Sequence, residues 1–267
     1  MSLSLDHVVI HVTDLELAIA DFSALGFNVQ RGGAHAEGAT HNALVGFADG
    51  SYLELIAFLK PHTTHRWAYA AERGLQGFVD FALLPSQMGA VIDAARGRGL
   101  DYRGPVAGGR LRPDGERLQW QIGTAPTPDL PFLCGDITAR ALRVPEGEVR
   151  VHANGVQGVS TITVAVTDAD ASLQRYRALL GAQADTGTES VTLPGLGMRL
   201  AALTLGTATL LLVAPSPGAP AGGALRARLD ERGPGVIGLA LRGPLGAAAQ
   251  ALALDKTHGA AFEILPG

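Results

Sequence analysis

"HVVIHVTDLELAIADFSALG" (residues 7–26) and "TITVAVTDADASLQRYRALLG" (residues 161–181) decide the fold, because they are two copies of one unit. Each reads as a strand, then Thr-Asp, then an amphipathic helix, then Gly. In the first copy, Val8, Ile10 and Val12 share one strand face, and His7, Val9 and His11 share the other. Thr13 and Glu16 fit a capping box, Leu15, Ile19 and Phe22 form the helix stripe, and Gly26 stands where a C-terminal cap belongs. In the second copy, Thr167 and Asp170 repeat the cap, and Leu173, Tyr176 and Leu180 repeat the stripe. A strand with one aliphatic face needs only packing to explain it. Two imidazoles on the other face need a further reason.

A second pair of matches follows in the same order. "ERGLQGFVDFALL" (72–84) and "ERGPGVIGLALRG" (231–243) each read as a turn and then a strand. Ser86 can cap the helix "SQMGAVIDAARGRGL" (86–100), and "PLGAAAQALAL" (244–254) is predicted to be its counterpart helix. Short strands with Gly-rich turns fill the gaps: "FNVQRGG" (27–33), "HNALVGFADG" (41–50), "SYLELIAF" (51–58), "GGRLRPDGERLQWQIG" (108–123) and "DLPFLCGD" (129–136). The Asp-Gly pairs at 49–50 and 114–115 are hairpin signals. The expected fold is therefore α+β: four βαβββ modules in two tandem halves, each curling a mixed sheet around a pocket. The halves span 1–145 and 150–267, joined by the turn-rich "RVPEGEVRVHANG" (143–155).

Composition narrows the function. The 267 residues are 47% hydrophobic and 17% charged, with a formal charge of -4, so nucleic acid is not an expected partner. One cysteine, Cys134, excludes an internal disulfide and fits a reducing, cytoplasmic setting. No signal peptide is apparent at the N-terminus. The most apolar stretch, "LAALTLGTATLLLVAP" (200–215), is split by Gly206-Thr207 and reads as a hairpin rather than a membrane span. No Gly-rich phosphate loop, dinucleotide fingerprint or nucleophile elbow is present.

The module order resembles the vicinal oxygen chelate superfamily, the fold of glyoxalase I, extradiol dioxygenases and bleomycin resistance proteins. More narrowly, "LDHVVIHVTDLELAIADFSALGF" (5–27), "GGAHAEGATHNALVGFADGSYLELIAF" (32–58), "RLRPDGERLQWQI" (110–122) and "LPFL" (130–133) resemble the glyoxalase-like family within it. The resemblance implies a metal ligand or catalytic group at His7, from the "DH" start of the first strand, and another at Glu54, from the last strand of the module. Glu54 is also odd physically, since a carboxylate flanked by Leu53 and Leu55 needs a partner. The paired module is expected to complete a shell for a divalent ion (Zn, Fe, Mn or Ni). Asp80 is the candidate if Ser86 caps the following helix; shifted by one, Val79 takes the place. Cys134 stands after Phe132 as Glu54 stands after Tyr52, and reads better as a small buried hydrophobe.

The duplication supplies an internal control. His7 aligns with Thr161, His11 with Ala165, Glu54 with about Leu211 and Asp80 with Gly238. The second half keeps the scaffold without the ionisable groups, so it is expected to be a degenerate copy, serving as scaffold or as the surface of a homodimer. His35, His41, Asn42 and Tyr52 are expected to line the pocket. His62 and His65 read as exposed loop residues. Six arginines lie between Arg96 and Arg117, and Arg110 and Arg112 share a strand face suited to capturing a small acid. The expected function is that of a glyoxalase-like protein binding a small anionic carbonyl or enolisable compound, as a metal-assisted lyase or isomerase. A non-catalytic small-molecule binder of the bleomycin-resistance kind and a ring-cleaving dioxygenase are the alternatives.

Overall fold

The structure, a computed structural model, describes residues 2–36, 38–60, 64–112, 114–184, 189–218 and 223–267. The first half runs β1 (Leu3–His11), α1 (Leu15–Ala24), β2 (Gln30–Ala34), β3 (Thr40–Gly46), β4 (Tyr52–Phe58), α2 (Ala68–Glu72), β5 (Gly77–Pro85), α3 (Met88–Gly97), β6 (Arg103–Leu111), β7 (Arg117–Thr124) and β8 (Phe132–Asp136). A short linker helix, α4 (Arg140–Arg143), leads to the second half. That half runs β9 (Gly158–Ala165), α5 (Ala169–Leu180), β10 (Val191–Leu193), β11 (Met198–Leu205), β12 (Ala208–Pro215), α6 (Ala224–Arg232), β13 (Gly235–Arg242), β14 (Gln250–Ala251) and β15 (Phe262–Leu265).

The helix starts come from Asp rather than Thr. Asp14 caps α1, accepting from Leu17 N at 3.0 Å, and Asp168 caps α5 through Asp170 N and Ala171 N. Thr13 and Thr167 lie one residue earlier, so the spacing between the two copies is unchanged. Gln87, not Ser86, precedes α3; the Ser86 hydroxyl accepts from Ser2 N instead. The predicted helix over 244–254 does not form. Gly246 takes a left-handed φ of 75° and Leu245 stands exposed, and a run of alanines offers no apolar stripe to bury. The fourth module therefore keeps only β13, β14 and β15. The predicted hairpin at Gly206-Thr207 is present, joining β11 to β12. Among the described residues no helix is long and apolar enough to cross a membrane.

Two sheets result. The first has eight strands in the order β2-β3-β4-β1-β5-β8-β7-β6; the second has seven, in the order β10-β11-β12-β9-β13-β15-β14. The register reproduces the internal repeat. Val9 pairs with Glu54 and Asp80, and Thr163 pairs with Leu211 and Gly238. The aliphatic face of β1 (Val8, Ile10, Val12) is fully buried in one core with Ile162, Val164 and Val166 of the second half. Burial of each such side chain contributes about 1.5–3 kcal/mol. The opposite face of β1 is thereby turned towards the concave side of the first sheet. That sheet curls until its edges meet: His35 bridges Arg110, and Ala36 N donates to Gly109 O at 2.9 Å. Gly33, at φ 126°, permits the approach, since a Cβ there would lie 2.4 Å from Leu111 O.

Candidate functional site

Inside the curl of the first sheet lies a cavity of about 300 Å³. A β-bulge in β1 sets its floor. Leu5 pairs with Leu83 and His7 with Ala82, which leaves Asp6 as the extra residue. The bulge brings Asp6 to the same side as His7, where Asp6 Oδ2 lies 2.7 Å from His7 Nδ1. The other imidazole nitrogen, Nε2, lies 3.3 Å from Glu54 Oε2. Tyr52 stacks on the ring at 4.5 Å and Phe132 meets it edge-on. Burial works against a charged imidazole, but hydrogen bonds to Asp6 and Glu54 and their charges raise the His7 pKa above its ordinary value. Burial likewise opposes the Glu54 carboxylate, yet His7, His35 and Asn42 hold its pKa down at about 2. Asn42 Nδ2 donates to Glu54 Oε1 at 2.6 Å, and His35 Nε2 stands 3.6 Å from the same oxygen. The Asn42 carbonyl oxygen packs on Gly32, where a Cβ would sit 1.9 Å away.

Behind this row the linker helix supplies the compensating charge. Arg143 donates to Asp6 at 2.9 and 3.2 Å, to Asp136 at 2.5 and 2.9 Å, and to the Tyr52 hydroxyl at 2.7 Å. Arg140 donates to Asp6 at 2.5 Å and to Asp136 at 3.2 Å. Asp6 is fully buried, and despite that burial its pKa is held far below the usual carboxylate range, chiefly by Arg143. Three carboxylates thus face two guanidiniums and one imidazolium, so the buried cluster is close to neutral.

Arg110 stands apart from this balance. Its side chain lines the cavity, is 4% exposed as a residue, and donates to two carbonyls, Gly32 O and, at 3.3 Å, Arg143 O. No carboxylate pairs with it among the described residues. Burial lowers its pKa while leaving it a cation. The remaining walls are mostly apolar, with Ile56, Trp67, Trp120, Ile122 and Phe132 prominent beside His65, Arg66 and Thr124.

The predicted site residues divide. His7, His35, Asn42, Tyr52, Glu54 and Arg110 converge on the cavity. His41 turns to the other face of β3, towards Glu16. Arg112 lies beyond the end of β6, bonded to Leu142 O at 3.3 Å and Asp114 at 2.8 Å, outside the cavity lining. His11 is buried with Nδ1 on Leu75 O at 2.6 Å. Asp80 is held by Arg66 at 2.6 Å, Trp67 Nε1 at 3.0 Å and Phe81 N at 2.9 Å. His65 lines the cavity rather than an exposed loop. His62 lies outside the described residues. Sequence reading missed Asp6 and Arg143. Strict alternation put Asp6 on the wrong face, and only the bulge corrects it.

A divalent ion does not fit the residues present. The paired module offers Asp80, which stands before the α3 cap Gln87 as His7 stands before the α1 cap Asp14, but its carboxylate is taken up by Arg66, Trp67 and Phe81. The module's other position is Cys134, whose thiol burial pushes well above the ordinary range. Asp6 holds His7 Nδ1, so His7 Nε2 and Glu54 supply only two of the donors an ion would need. Among the described residues no three His, Cys, Asp or Glu side chains are grouped to hold a metal. What the arrangement can do is hold an anion at Arg110 and present an ion-paired carboxylate and imidazolium beside it.

Residues 5–180 match the family model described as a glyoxalase-like domain. No curated protein matches the sequence. A hypothetical protein from Staphylococcus aureus superposes with a TM-score of 0.72 at 13% identity, covering 99% of both chains. A mutant of 4-hydroxymandelate synthase from Streptomyces coelicolor superposes with a TM-score of 0.59 at 17% identity, covering 91% of this chain and 71% of that one. Methylmalonyl-CoA epimerase from Mycobacterium tuberculosis gives a TM-score of 0.32 at 21% identity, over 43% of this chain and 91% of that one.

Proposed function

The chain belongs to the glyoxalase-like domain family of the vicinal oxygen chelate superfamily, and from that premise we propose that its first half binds a small anionic carbonyl compound and moves a proton at the carbon beside the carbonyl. One observation carries the reading: Arg110, a buried guanidinium without a carboxylate, shares a cavity with the Glu54–His7 ion pair. The acid group meets Arg110 as a charge-assisted pair. The carbonyl oxygen then takes the His7 N–H in place of Glu54. Released from that hydrogen bond, Glu54 becomes more basic than in the empty pocket and accepts the proton, while His7 stabilises the enolate oxygen. Residues 1–145 are the working half. Residues 150–267 serve as scaffold, with Thr161, Leu211 and Gly238 in place of the ionisable groups.

The test is exchange of the α-C–H of small 2-oxo acids with D2O, followed by proton NMR. Exchange catalysed by the parent should fall at least a hundredfold in Glu54→Gln, with binding retained. The low pKa of Glu54 and the missing ligand shell favour a second reading, that of a plain binder. Acids that raise the melting temperature through Arg110, with no exchange above background, would establish that reading instead.

A further inference from the structure

The apolar lining of the cavity is not part of the main core. Val9, Ile56, Trp67, Ala82, Leu118, Trp120, Phe132 and Cys134 form a separate buried cluster on the concave side of the first sheet. The main core, on the convex side, holds the fold without them. Of the separate cluster, Ile56, Trp67, Trp120, Phe132 and Cys134 line the cavity, where an apolar wall suits packing against a ligand. Its composition is specific. The chain contains two tryptophans, Trp67 and Trp120, and both line the cavity with Phe132. Trp67 meets Phe132 edge-on with ring centres 5.9 Å apart, and Trp120 meets His35 edge-on at the same separation. Arg66 lies 4.7 Å from the Phe132 ring centre and 5.5 Å from that of Trp67. Gly108 makes room for Trp120, since a Cβ there would fall 2.3 Å from the indole nitrogen.

We infer that the ligand is an aryl-substituted acid, its carboxylate on Arg110 and its ring against Trp67, Trp120 and Phe132. Size agrees with this. At about 300 Å³ the cavity lies at the small end of the range for small-molecule sites, enough for one aromatic ring with a short acid arm. Flat rings prefer offset or edge contacts with other rings, worth about 0.5–1.5 kcal/mol per pair beyond area burial. Ile56 and Ile122 supply aliphatic contact beside these rings, and Arg66 lies against Phe132 and Trp67. The inference rests on the proposed function only for the site it occupies and for the anion at Arg110, not for the proton transfer.

Because both tryptophans line the cavity, the protein's whole tryptophan emission reports on it. The experiment is a fluorescence titration of the full chain with 3-phenyl-2-oxopropanoate, with the straight-chain 2-oxohexanoate, and with phenylacetamide. The aryl acid should change the emission saturably and bind at least tenfold more tightly than the aliphatic acid. Phenylacetamide, which lacks the charge, should bind weakly or not at all. Trp120→Leu should reduce that aryl preference to about threefold or less, read from the remaining Trp67 emission. Equal affinities for the two acids would overturn the inference while leaving the anion reading intact. Binding of neither acid would overturn both. Arg110→Met, which keeps the stem and removes the charge, should abolish binding of both acids, while the unliganded tryptophan emission shows whether the cavity is still formed.

Discussion

At the scale of single residues, the site is a row of charges whose protonation the fold controls, and stability should follow pH accordingly. The His7 pKa is raised above 6.5, so its contribution is complete below that value and is lost as pH rises through the folded-state pKa. Burial depresses the pKa of His11 and His152, which stay neutral in the folded protein, so stability falls as pH drops below 6.5 and the unfolded chain takes up protons. Asp6 and Glu54 are depressed from 3.8 and 4.5, so their contribution is present above those values and is lost as pH falls below them towards the folded-state pKa values. Resistance to urea should therefore peak near pH 6.5 and decline on both sides. Asp6→Asn should lower stability by roughly 3 kcal/mol, because Arg140 and Arg143 lose one carboxylate and keep only Asp136. It should also flatten the alkaline limb, since His7 loses its closest anion. Urea midpoints at about pH 5, 6.5 and 9 check both statements. An unchanged alkaline limb in the variant would show that Asp6 does not set the charge of His7.

At the scale of elements, β2 and β6 close the first sheet, and two glycines decide whether they can. Gly33 sits at φ 126° with Leu111 O at 2.4 Å from the place a Cβ would take. Gly33→Ala should cost about 1–3 kcal/mol from backbone strain alone, and more from the collision. Because β2 also carries Gly32 O, which holds Arg110, the same change should weaken anion binding as well as stability. Gly50→Ala is the control: φ is 86° there but no atom lies within 4 Å, so it should lose stability with affinity unchanged. Thermal unfolding with fluorescence titration separates the two effects. The elements were largely legible in the sequence. Strand periodicity, the Thr-Asp start and the repeat gave β1–α1, β9–α5 and the correspondence of Glu54 with Leu211, which the register reproduces. What was not legible depends on departures from periodicity. Asp6 joins the site through a bulge, and Asp80 keeps the position that corresponds to His7 but is held by Arg66, Trp67 and Phe81. His41 and Asn42 were both expected in the pocket, although alternation allows only one of two neighbours to face it.

At the scale of the whole molecule, the two halves share one core, and this decides how the protein unfolds. Val8 and Ile10 are buried in the same cluster as Ile162 and Val164. Polar contacts cross the boundary as well: Gln183 accepts from Leu3 N at 2.7 Å, Arg175 meets Asp129 at 2.7 Å, and the Tyr176 hydroxyl donates to Asp129 O at 2.7 Å. Neither half has a convex surface that could face water without exposing these residues, so the two should unfold as one cooperative unit. The placement of the tryptophans makes this measurable. Emission from Trp67 and Trp120 follows the first half, whereas far-ultraviolet circular dichroism follows both. Ile162→Ala removes a fully buried side chain of the second half, at a cost of about 2–5 kcal/mol. If the core is shared, the midpoint of the tryptophan transition should fall as far as that of the dichroism signal. A tryptophan midpoint that stays at the parent value while the dichroism splits into two steps would mean that the halves fold independently. The second half would then be a separate domain rather than the scaffold on which the site depends.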